Sequence, residues 1–237
     1  MNRLYQVSQT LGVNLMHNQG GESNIEFVLV DLGSRDGLQE WVLSNFQAEL
    51  ESGFLQYYFI PGVKSWNAPV AKNTAHYLAK GEFLMNLDCD NFTGDKGGQF
   101  VLSQFDKYGS KLLLHQFNGL WTEGTYGRIG MHRSFFFEVG GYDEAFEPMG
   151  HQDSDLIDRL YVSGLRYRRV HNSIYNKAIP NTKEEGIRYC ESSLTWAQMD
   201  LRNERTSKLN VYAGRLVANG GVMGIREGIL AYKDLKD

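Results

Sequence analysis

Residues 82–90, EFLMNLDCD, join a short apolar run to a pair of aspartates, and this junction decides the predicted fold. The apolar run predicts a strand over Glu82–Leu87. Outward from it, toward the N-terminus, the pattern predicts a helix at 68–79, a strand at 55–60, a helix at 38–50, a strand at 25–30 and a helix at 4–15. Strands that alternate with helices through short connections are typical of α/β domains. We therefore predict an α/β fold with a mixed, mainly parallel central sheet flanked by helices.

Acidic loops follow two of these predicted strands. Asp31 comes directly after the run Ile25–Val30, which we expect to be a strand buried on both faces. Asp88 and Asp90 come directly after the strand at 82–87. Because ligands bind at the carboxyl ends of strands in such sheets, both loops are expected to open on one edge. Mg²⁺ and Mn²⁺ prefer carboxylate oxygens, so Asp88 and Asp90 are candidate metal ligands, although an acidic turn that ends a strand would look the same.

The second half of the chain alternates less regularly. Strands are predicted at 111–117 and 127–131, and helices at 154–163 and 192–208. The tail 211–237 carries five glycines and has no predicted element. We expect one domain over 1–237, with a ligand-binding half at 1–100, a catalytic half at 101–210 and the tail at 211–237.

The stretch Gly127–Leu160, GRIGMHRSFFFEVGGYDEAFEPMGHQDSDLIDRL, is the most specific part of the sequence. Gly140-Gly141 within it permits a tight turn. Asp153 stands at the start of a predicted helix, where the backbone N–H groups favour an ionised carboxylate. It is either a helix cap, with Asp158 and Arg159 as exposed charges, or a general base that points into the cleft. His151 is an alternative base or metal ligand.

Composition excludes several classes of protein. The 237 residues carry 24 Lys and Arg against 28 Asp and Glu, and 42% of them are hydrophobic. A net charge of −4 argues against a nucleic-acid-binding protein, and the hydrophobic content argues against disorder. With two cysteines, no apolar run of membrane-spanning length and no signal-peptide core, we expect a cytoplasmic protein with at most peripheral membrane association.

Taken together, these motifs resemble the nucleotide-sugar glycosyltransferases of the GT-A fold. The resemblance is carried in order by VLVDLGSRDG at 28–37, NAPVAKNTAHYLAKG at 67–81, NLDCD at 86–90 and the stretch 140–160. The last stretch is similar to the galactosyltransferase pattern of Gly-Gly-Phe/Tyr followed by Trp-Gly-x-Glu-Asp-x-Asp. Asn2-Arg3 resembles the Asn-Arg pair of β-1,4-galactosyltransferases. The resemblance spans nearly the whole chain and implies a single GT-A, Rossmann-like domain.

The resemblance also implies roles for individual residues. The nucleotide-sugar-binding residues would be Arg3, Asp31, Lys72 and Asp88, with His132 and Arg133 as weaker candidates in the donor pocket. Asp90 would bind the metal directly, helped by Asp88 and by Asn181. Asp153 would be the catalytic base, and Met149 and Gln152 would face the acceptor.

The implied activity is a metal-dependent, inverting transfer of a hexose from a UDP-sugar to a glycan or polysaccharide acceptor. Galactose or N-acetylgalactosamine is favoured as the sugar, and Mn²⁺ or Mg²⁺ as the metal. Asp153 would deprotonate the acceptor hydroxyl, which attacks the anomeric carbon in line. Two other classes stay open: a non-catalytic or truncated binding module of the same fold, and, less favoured, a nucleotidyltransferase.

The sequence departs from the family pattern in four places. Gln152 stands where the family has Glu, and Met149 stands where it has a Trp that closes over the substrates, which predicts a smaller and more adaptable wall. The family's third metal ligand, a His, has no clear counterpart, so Asn181 is the candidate and His171 is poorly aligned. The chain also begins where the family's first strand should already have ended. We expect that this strand is missing through truncation, is replaced by another segment, or is lost together with nucleotide binding.

Overall fold

The structure is a computed structural model that describes residues 1–20 and 25–235. Its helices are α1 (Leu4–Asn18), α2 (Leu38–Asn45), α3 (Gln47–Ser52), α4 (Ala68–Leu78), α5 (Gly97–Tyr108), α6 (Arg133–Glu138), α7 (Gln152–Val162), α8 (Lys183–Ile187) and α9 (Trp196–Tyr212). Its strands are β1 (Phe27–Asp31), β2 (Leu55–Phe59), β3 (Phe83–Met85), β4 (Asn91–Phe92), β5 (Leu112–His115), β6 (Ile129–His132), β7 (Arg166–Arg169), β8 (Lys177–Ala178) and β9 (Leu230–Ala231). None of the described helices is long and apolar enough to cross a membrane.

The strands form three sheets, in the orders β1-β2-β9, β3-β6-β5-β7 and β4-β8. The mixed α/β fold is confirmed. The expectation of mainly parallel pairing is wrong, because β1–β2 and β5–β7 are parallel while the other four described pairs are antiparallel. Parallel neighbours need a long crossover connection, usually a helix. The chain passes from β5 to β6 through a loop with one short 3₁₀ turn at Trp121–Glu123, so β6 returns antiparallel.

Within the described residues, no strand pair joins the first two sheets. Among the described residues, β1 pairs with β2 alone and β3 pairs with β6 alone. The two sheets are tied at one end by Glu26, whose carboxylate accepts a hydrogen bond from the Gly81 N–H at 2.8 Å. Phe27 and Leu29 pack on one apolar cluster and Val30 on another, so both faces of β1 are covered. The four residues Phe27–Val30 are nevertheless only partly buried, so the expected full burial of this strand is not reached.

Two apolar cores support the elements that carry the candidate site residues. In the first, α1 and α2 pack against β1 and β2 through Val7, Leu11, Leu15, Val42 and Leu55. In the second, α6 and α7 pack against β3, β5 and β6 through Leu84, Leu113, Met131, Phe136, Leu156 and Leu160. The helix predicted at 38–50 is broken at Phe46, whose backbone leaves the helical region. α7 begins two residues earlier than predicted, so Asp153 lies inside its first turn.

The turn at Gly140-Gly141 joins α6 to the segment that leads into α7. Both residues have left-handed backbone, with φ of 69° and 66°. A Cβ at Gly140 would lie 2.1 Å from the Ala218 carbonyl oxygen, and one at Gly141 would lie 2.2 Å from the Met223 sulfur. The two glycines therefore let the tail, which the sequence left unassigned, pack directly against this turn.

Candidate active site

Lys72 stands at the centre of the cluster that the predicted site residues form. Its Nζ lies 2.7 Å from Asp153 Oδ1 and 3.5 Å from Asp88 Oδ1. Burial alone would lower the pKa of Lys72, but the carboxylates of Asp153 and Asp88 outweigh it and raise that pKa above its ordinary value. The side chain is therefore a fixed positive charge between two carboxylates, one from α7 and one from the loop after β3.

Helix α4 is held in place at the residues around Lys72. It begins at Asn67, whose side chain accepts a hydrogen bond from the Val70 N–H at 3.0 Å, with Pro69 in its first turn. Asn73, which is fully buried, donates to the Tyr142 carbonyl at 2.8 Å and accepts from the Tyr142 N–H at 2.8 Å. The predicted pair Lys72-Asn73 thus has two tasks: the lysine meets the carboxylates, and the asparagine fixes α4 to the segment after the Gly140-Gly141 turn.

Asp153 lies in the first turn of α7, where the free N–H groups favour a carboxylate. The helix starts from His151, whose left-handed φ of 59° turns the chain sharply into it. One oxygen of Asp153 is held by Lys72, and the other is 3.3 Å from the Gln152 amide nitrogen. His151 acts electrostatically on Asp158 and Glu204. We therefore do not place it among the metal ligands.

Two residues next to this cluster, Asn86 and Gly127, were not predicted from the sequence. Asn86 donates to Asp88 Oδ1 at 3.1 Å and to the Gly127 carbonyl at 2.9 Å. A Cβ at Gly127 would lie 2.7 Å from Asp88 Oδ2 and 2.9 Å from Lys72 Nζ. Gly127 is therefore a position where a side chain would collide with the charged cluster. The only signal for it in the sequence was a glycine at the start of a predicted strand.

Asp90 lies beside Asp88 in a poorly solvated place. Burial, and next the charge of Asp88, raise the pKa of Asp90 above its ordinary value. Two neighbouring carboxylates that destabilise each other in this way would be stabilised by a divalent cation. Asp90 and Asp88 are the residues that would hold it. Within 1–20 and 25–235 no group of three or more His, Cys, Asp or Glu side chains is arranged to hold a metal. Such a cation would therefore take its other ligands from water and substrate oxygens.

Asn181 does not reach this acidic pair through a described contact. Its segment runs past the pair, because the Ile179 N–H donates to the Asp90 carbonyl at 2.7 Å and β8 pairs with β4. The Asn181 side chain itself is exposed. His171 is also exposed. The third metal ligand thus stays a prediction for Asn181.

Helix α1 fixes the loop that carries Asp88 and Asp90, a role that the sequence did not reveal. Asn14 is buried, donates to the Asn91 carbonyl at 2.9 Å and accepts from the Thr93 N–H at 2.8 Å. Thr10 donates to the Cys89 carbonyl at 2.7 Å. The polar face of α1 therefore satisfies the backbone directly after the acidic pair.

We expect Asn14→Leu to destabilise the fold and to weaken metal binding. The change leaves the Thr93 N–H and the Asn91 carbonyl buried without partners, at a cost of about 1–3 kcal/mol for each group. Urea unfolding measures the stability, and Mn²⁺ titration of the folded variant measures the metal affinity. Gln9→Leu on the exposed face of α1 is the control and should change stability by less than about 0.5 kcal/mol. Equal behaviour of the two variants would contradict the role of Asn14.

Arg3 and Asp31 are engaged elsewhere in this structure. Asp31 is almost fully buried, and its oxygens accept from the Tyr57 hydroxyl and from the Ser34 N–H, each at 2.9 Å. Arg3 donates to the Glu185 carbonyl at 2.9 Å, although its charge still acts on Asp90. The structure does not bring either side chain into contact with Lys72, so their nucleotide-binding roles stay predictions.

His132 and Arg133 lie away from the cluster. His132 pairs with Phe83, at the start of β3, whereas Asp88 follows the end of that strand. The Nδ1 of His132 lies 2.7 Å from the Ser134 hydroxyl, and Arg133 donates to the Ala79 carbonyl. The prediction that they line the donor pocket is not supported, because β6 runs antiparallel to β3 and carries its last residues to the opposite end.

Met149 is covered by an aromatic side chain that the sequence did not reveal. The Trp66 indole N–H donates to the Met149 sulfur at 3.3 Å. Trp66 belongs to the loop before α4, so an indole from a different part of the chain contacts the residue that stands at the family's Trp position in sequence. Met149 is therefore accompanied by an aromatic side chain that its own position does not predict. Gln152, the other predicted acceptor residue, is buried against Asp153.

Comparisons with known proteins agree with this arrangement. A family model described as the N-terminal domain of galactosyltransferase matches residues 117–181. A solved structure, the mannosyltransferase PcManGT from Pyrobaculum calidifontis in complex with GDP-Man and Mn²⁺, is similar with a TM-score of 0.61 and 14% sequence identity. The similarity covers 89% of this chain and 67% of that one. No curated protein sequence matches this chain.

The two matches are of different kinds, since one compares sequence and the other compares shape. The structural match shows the fold, which is GT-A. The sequence match covers the part of the chain that contains Gly127, the Gly140-Gly141 turn and Asp153. Both findings support a glycosyltransferase of the GT-A type.

Proposed function

We propose that this GT-A glycosyltransferase is a metal-dependent, inverting enzyme that transfers a hexose from a nucleoside diphosphate sugar to a glycan or polysaccharide hydroxyl. The observation that carries the proposal is the contact of Lys72 with both Asp153 and Asp88. The Lys72 ammonium group lies between the carboxylate that we propose as the base, Asp153, and the carboxylate that we propose for the donor side, Asp88. An inverting transfer needs such a pair of adjacent sites, since the acceptor oxygen must attack as the diphosphate leaves.

Asp153 is the base in this proposal, and its two oxygens have different tasks. Oδ1 is bound by Lys72 at 2.7 Å, which fixes the orientation of the carboxylate. Oδ2 accepts a longer hydrogen bond from the Gln152 amide at 3.3 Å, and the buried Tyr142 hydroxyl also acts on this carboxylate. We propose Oδ2 as the oxygen that accepts the proton of the acceptor hydroxyl. The acceptor oxygen then bonds to the anomeric carbon as the bond from that carbon to the diphosphate breaks. Gln152 supports the side chain without adding a second negative charge.

Asp90 and Asp88 are the residues that would hold Mn²⁺ or Mg²⁺. A bound divalent cation supplies charge neutralisation for the leaving diphosphate. Lys72 adds a permanent positive charge beside Asp88 and orients the donor from the other side. The raised pKa of Asp90 supports this assignment, because a bound cation would offset both the burial of Asp90 and the charge of Asp88, which raise that pKa.

For the donor we propose UDP-galactose or UDP-N-acetylgalactosamine. The match of residues 117–181 to a galactosyltransferase model supports this choice. PcManGT was solved with GDP-Man, so a guanosine donor is the alternative that any screen must include.

Calorimetric titration of UDP, and separately of GDP, into the purified chain with and without Mn²⁺ tests the donor site. We expect UDP to bind only with Mn²⁺, and Asp90→Ala to lower the affinity at least 10-fold, since carboxylates are the favoured ligands of this cation. Asp95→Ala, an exposed aspartate shortly after Asp90, is the control and should bind like the unaltered chain.

Three other outcomes would contradict the proposal. Tight binding of GDP but not of UDP would reject the uridine donor. Absence of binding under all conditions would favour a non-catalytic module of the same fold. Release of pyrophosphate instead of free UDP in a donor screen would indicate a nucleotidyltransferase.

A further inference from the structure

Strand β7 carries the sequence RYRR at the outer edge of its sheet, and all four of its side chains are exposed. Lys107 and Lys111 are exposed beside it, since the Arg166 N–H donates to the Lys111 carbonyl and both Lys107 and Arg168 lie over the ring of Tyr108. We call these five residues, Lys107, Lys111, Arg166, Arg168 and Arg169, the basic edge. None of them forms an ion pair with a carboxylate of residues 1–20 or 25–235. The chain as a whole has a net charge of −4, so this concentration of positive charge does not follow from composition.

The arginine side chains of β7 lie on both faces of the strand. Its outer edge is therefore positively charged on both sides. Arg168 lies on the α5 side, with its guanidinium 4.3 Å from the centre of the Tyr108 ring. Tyr167 lies on the other side, with its hydroxyl 2.8 Å from His115. Arg169 shares that side and approaches Gly119. A binding partner would therefore meet the strand edge-on and contact Arg166, Arg168 and Arg169 together.

Exposed apolar side chains flank the basic edge at both ends. At the Arg169 end, Leu120 and Trp121 follow Gly119, and the Trp121 side chain is 66% exposed although its ring stacks on Tyr126 at 4.2 Å. At the other end the chain enters β7 from Tyr161 and Val162, which are 61% and 53% exposed. Exposed Trp, Tyr and aliphatic side chains next to Arg and Lys are typical of surfaces that lie on a membrane interface.

We propose that the basic edge docks on an anionic lipid bilayer, with Arg166, Arg168 and Arg169 at the headgroups and Trp121 inserted at the interface. An acidic polymer would satisfy the cations but would leave the flanking apolar side chains in water. The docking would hold the enzyme beside membrane-bound acceptors, since Tyr126, on which Trp121 stacks, lies 2.9 Å from Ser154, the residue after the proposed base. The binding itself does not depend on the reaction and can be measured without donor or acceptor.

Vesicle sedimentation with the full chain tests this docking. We expect binding to phosphatidylcholine vesicles that contain phosphatidylglycerol, no binding to pure phosphatidylcholine, and weakening as salt is raised. Each cation near such a surface contributes about a five-fold gain in partitioning, so the triple variant Arg166→Gln/Arg168→Gln/Arg169→Gln should bind about 100-fold more weakly. Arg168→Gln/Arg169→Gln, which keeps the contact of Arg166 with Tyr108, should bind about 25-fold more weakly and guards against a folding defect in the triple variant.

The control variant is Lys64→Gln/Arg205→Gln/Lys233→Gln, which removes three exposed cations outside the basic edge and changes the net charge equally. It should bind vesicles like the unaltered chain. A shift of tryptophan fluorescence to shorter wavelength on adding vesicles should disappear in Trp121→Ser.

Three results would overturn the proposal. They are failure of the unaltered chain to bind anionic vesicles, an equal loss in the control and the triple variant, and binding to soluble polygalacturonate but not to vesicles. The last result would assign the surface to an acidic glycan.

Discussion

Asp153→Asn is expected to reduce the turnover number about 10²- to 10⁴-fold while leaving the affinity for UDP and Mn²⁺ unchanged. The range is the usual contribution of a positioned general base, which asparagine cannot replace. The amide keeps the shape of the side chain and can still accept a hydrogen bond from Lys72, which retains Asp88 as a charged partner. The measurement is steady-state transfer with saturating donor, together with calorimetric titration of UDP.

Asp158→Asn is the matched control, since it removes a carboxylate from the exposed side of the same helix. It should change turnover by less than two-fold. Normal turnover in Asp153→Asn would show that the base is another group. Loss of UDP binding in that variant would instead place Asp153 in the donor site.

Arg159→Met is expected to cause a large loss of stability around α7 and the Gly140-Gly141 turn. Arg159 is 2% exposed, and its guanidinium donates to Asp155, to the Val139 carbonyl at 2.8 Å and to the Gly141 carbonyl at 2.7 Å. Removing it leaves the fully buried Asp155 carboxylate and the Gly141 carbonyl without this donor, whereas the Val139 carbonyl keeps the Ala218 N–H at 3.0 Å. The expected cost is about 3–5 kcal/mol, mostly from the unpaired buried carboxylate. We expect the melting temperature to fall by about 10 °C, measured by circular dichroism.

Two further variants separate this effect from a general loss of charge. Arg202→Met breaks an exposed ion pair with Glu147 and should cost less than about 1 kcal/mol. The double variant Arg159→Met/Asp155→Leu removes both charges and should recover part of the lost stability, because no ionised group is then left unpaired in the core. A melting temperature unchanged by Arg159→Met would show that the buried pair does not stabilise the Gly140-Gly141 turn.

Arg159 also shows that sequence spacing alone does not tell whether a charged side chain is buried or exposed. Under the helix-cap interpretation of Asp153, Arg159 is expected to be an exposed helix charge, and its burial in the structure shows that expectation to be wrong. The spacing of Asp155 and Arg159, four residues apart, fits an exposed pair and a buried pair equally well. What decides between them is the turn at Gly140-Gly141, which delivers two carbonyls to the same face of α7.

The predicted elements that the structure confirms are those with strong local sequence patterns. β1, β2, α4, β5 and α7 lie within a few residues of their predicted positions because apolar periodicity and helix caps are local properties. β7 was not predicted, because RYRR has no apolar alternation and the strand exists through its pairing with β5. The two-residue strands β4, β8 and β9 have no signal of their own for the same reason.

The sequence by itself determined the α/β class, the acidic loop after β3 and the helix that begins near Asp153, since each depends on neighbouring residues. The tertiary structure alone decided that Lys72 joins Asp88 and Asp153, that α1 supports the acidic loop, that Trp66 covers Met149, and that His132 and Arg133 lie at the far end of β3. Apart from Lys72 and Asp88, which are 16 positions apart, these relations link residues about 50 to 80 positions apart. They depend on strand direction and on how helices pack, which a local pattern does not record.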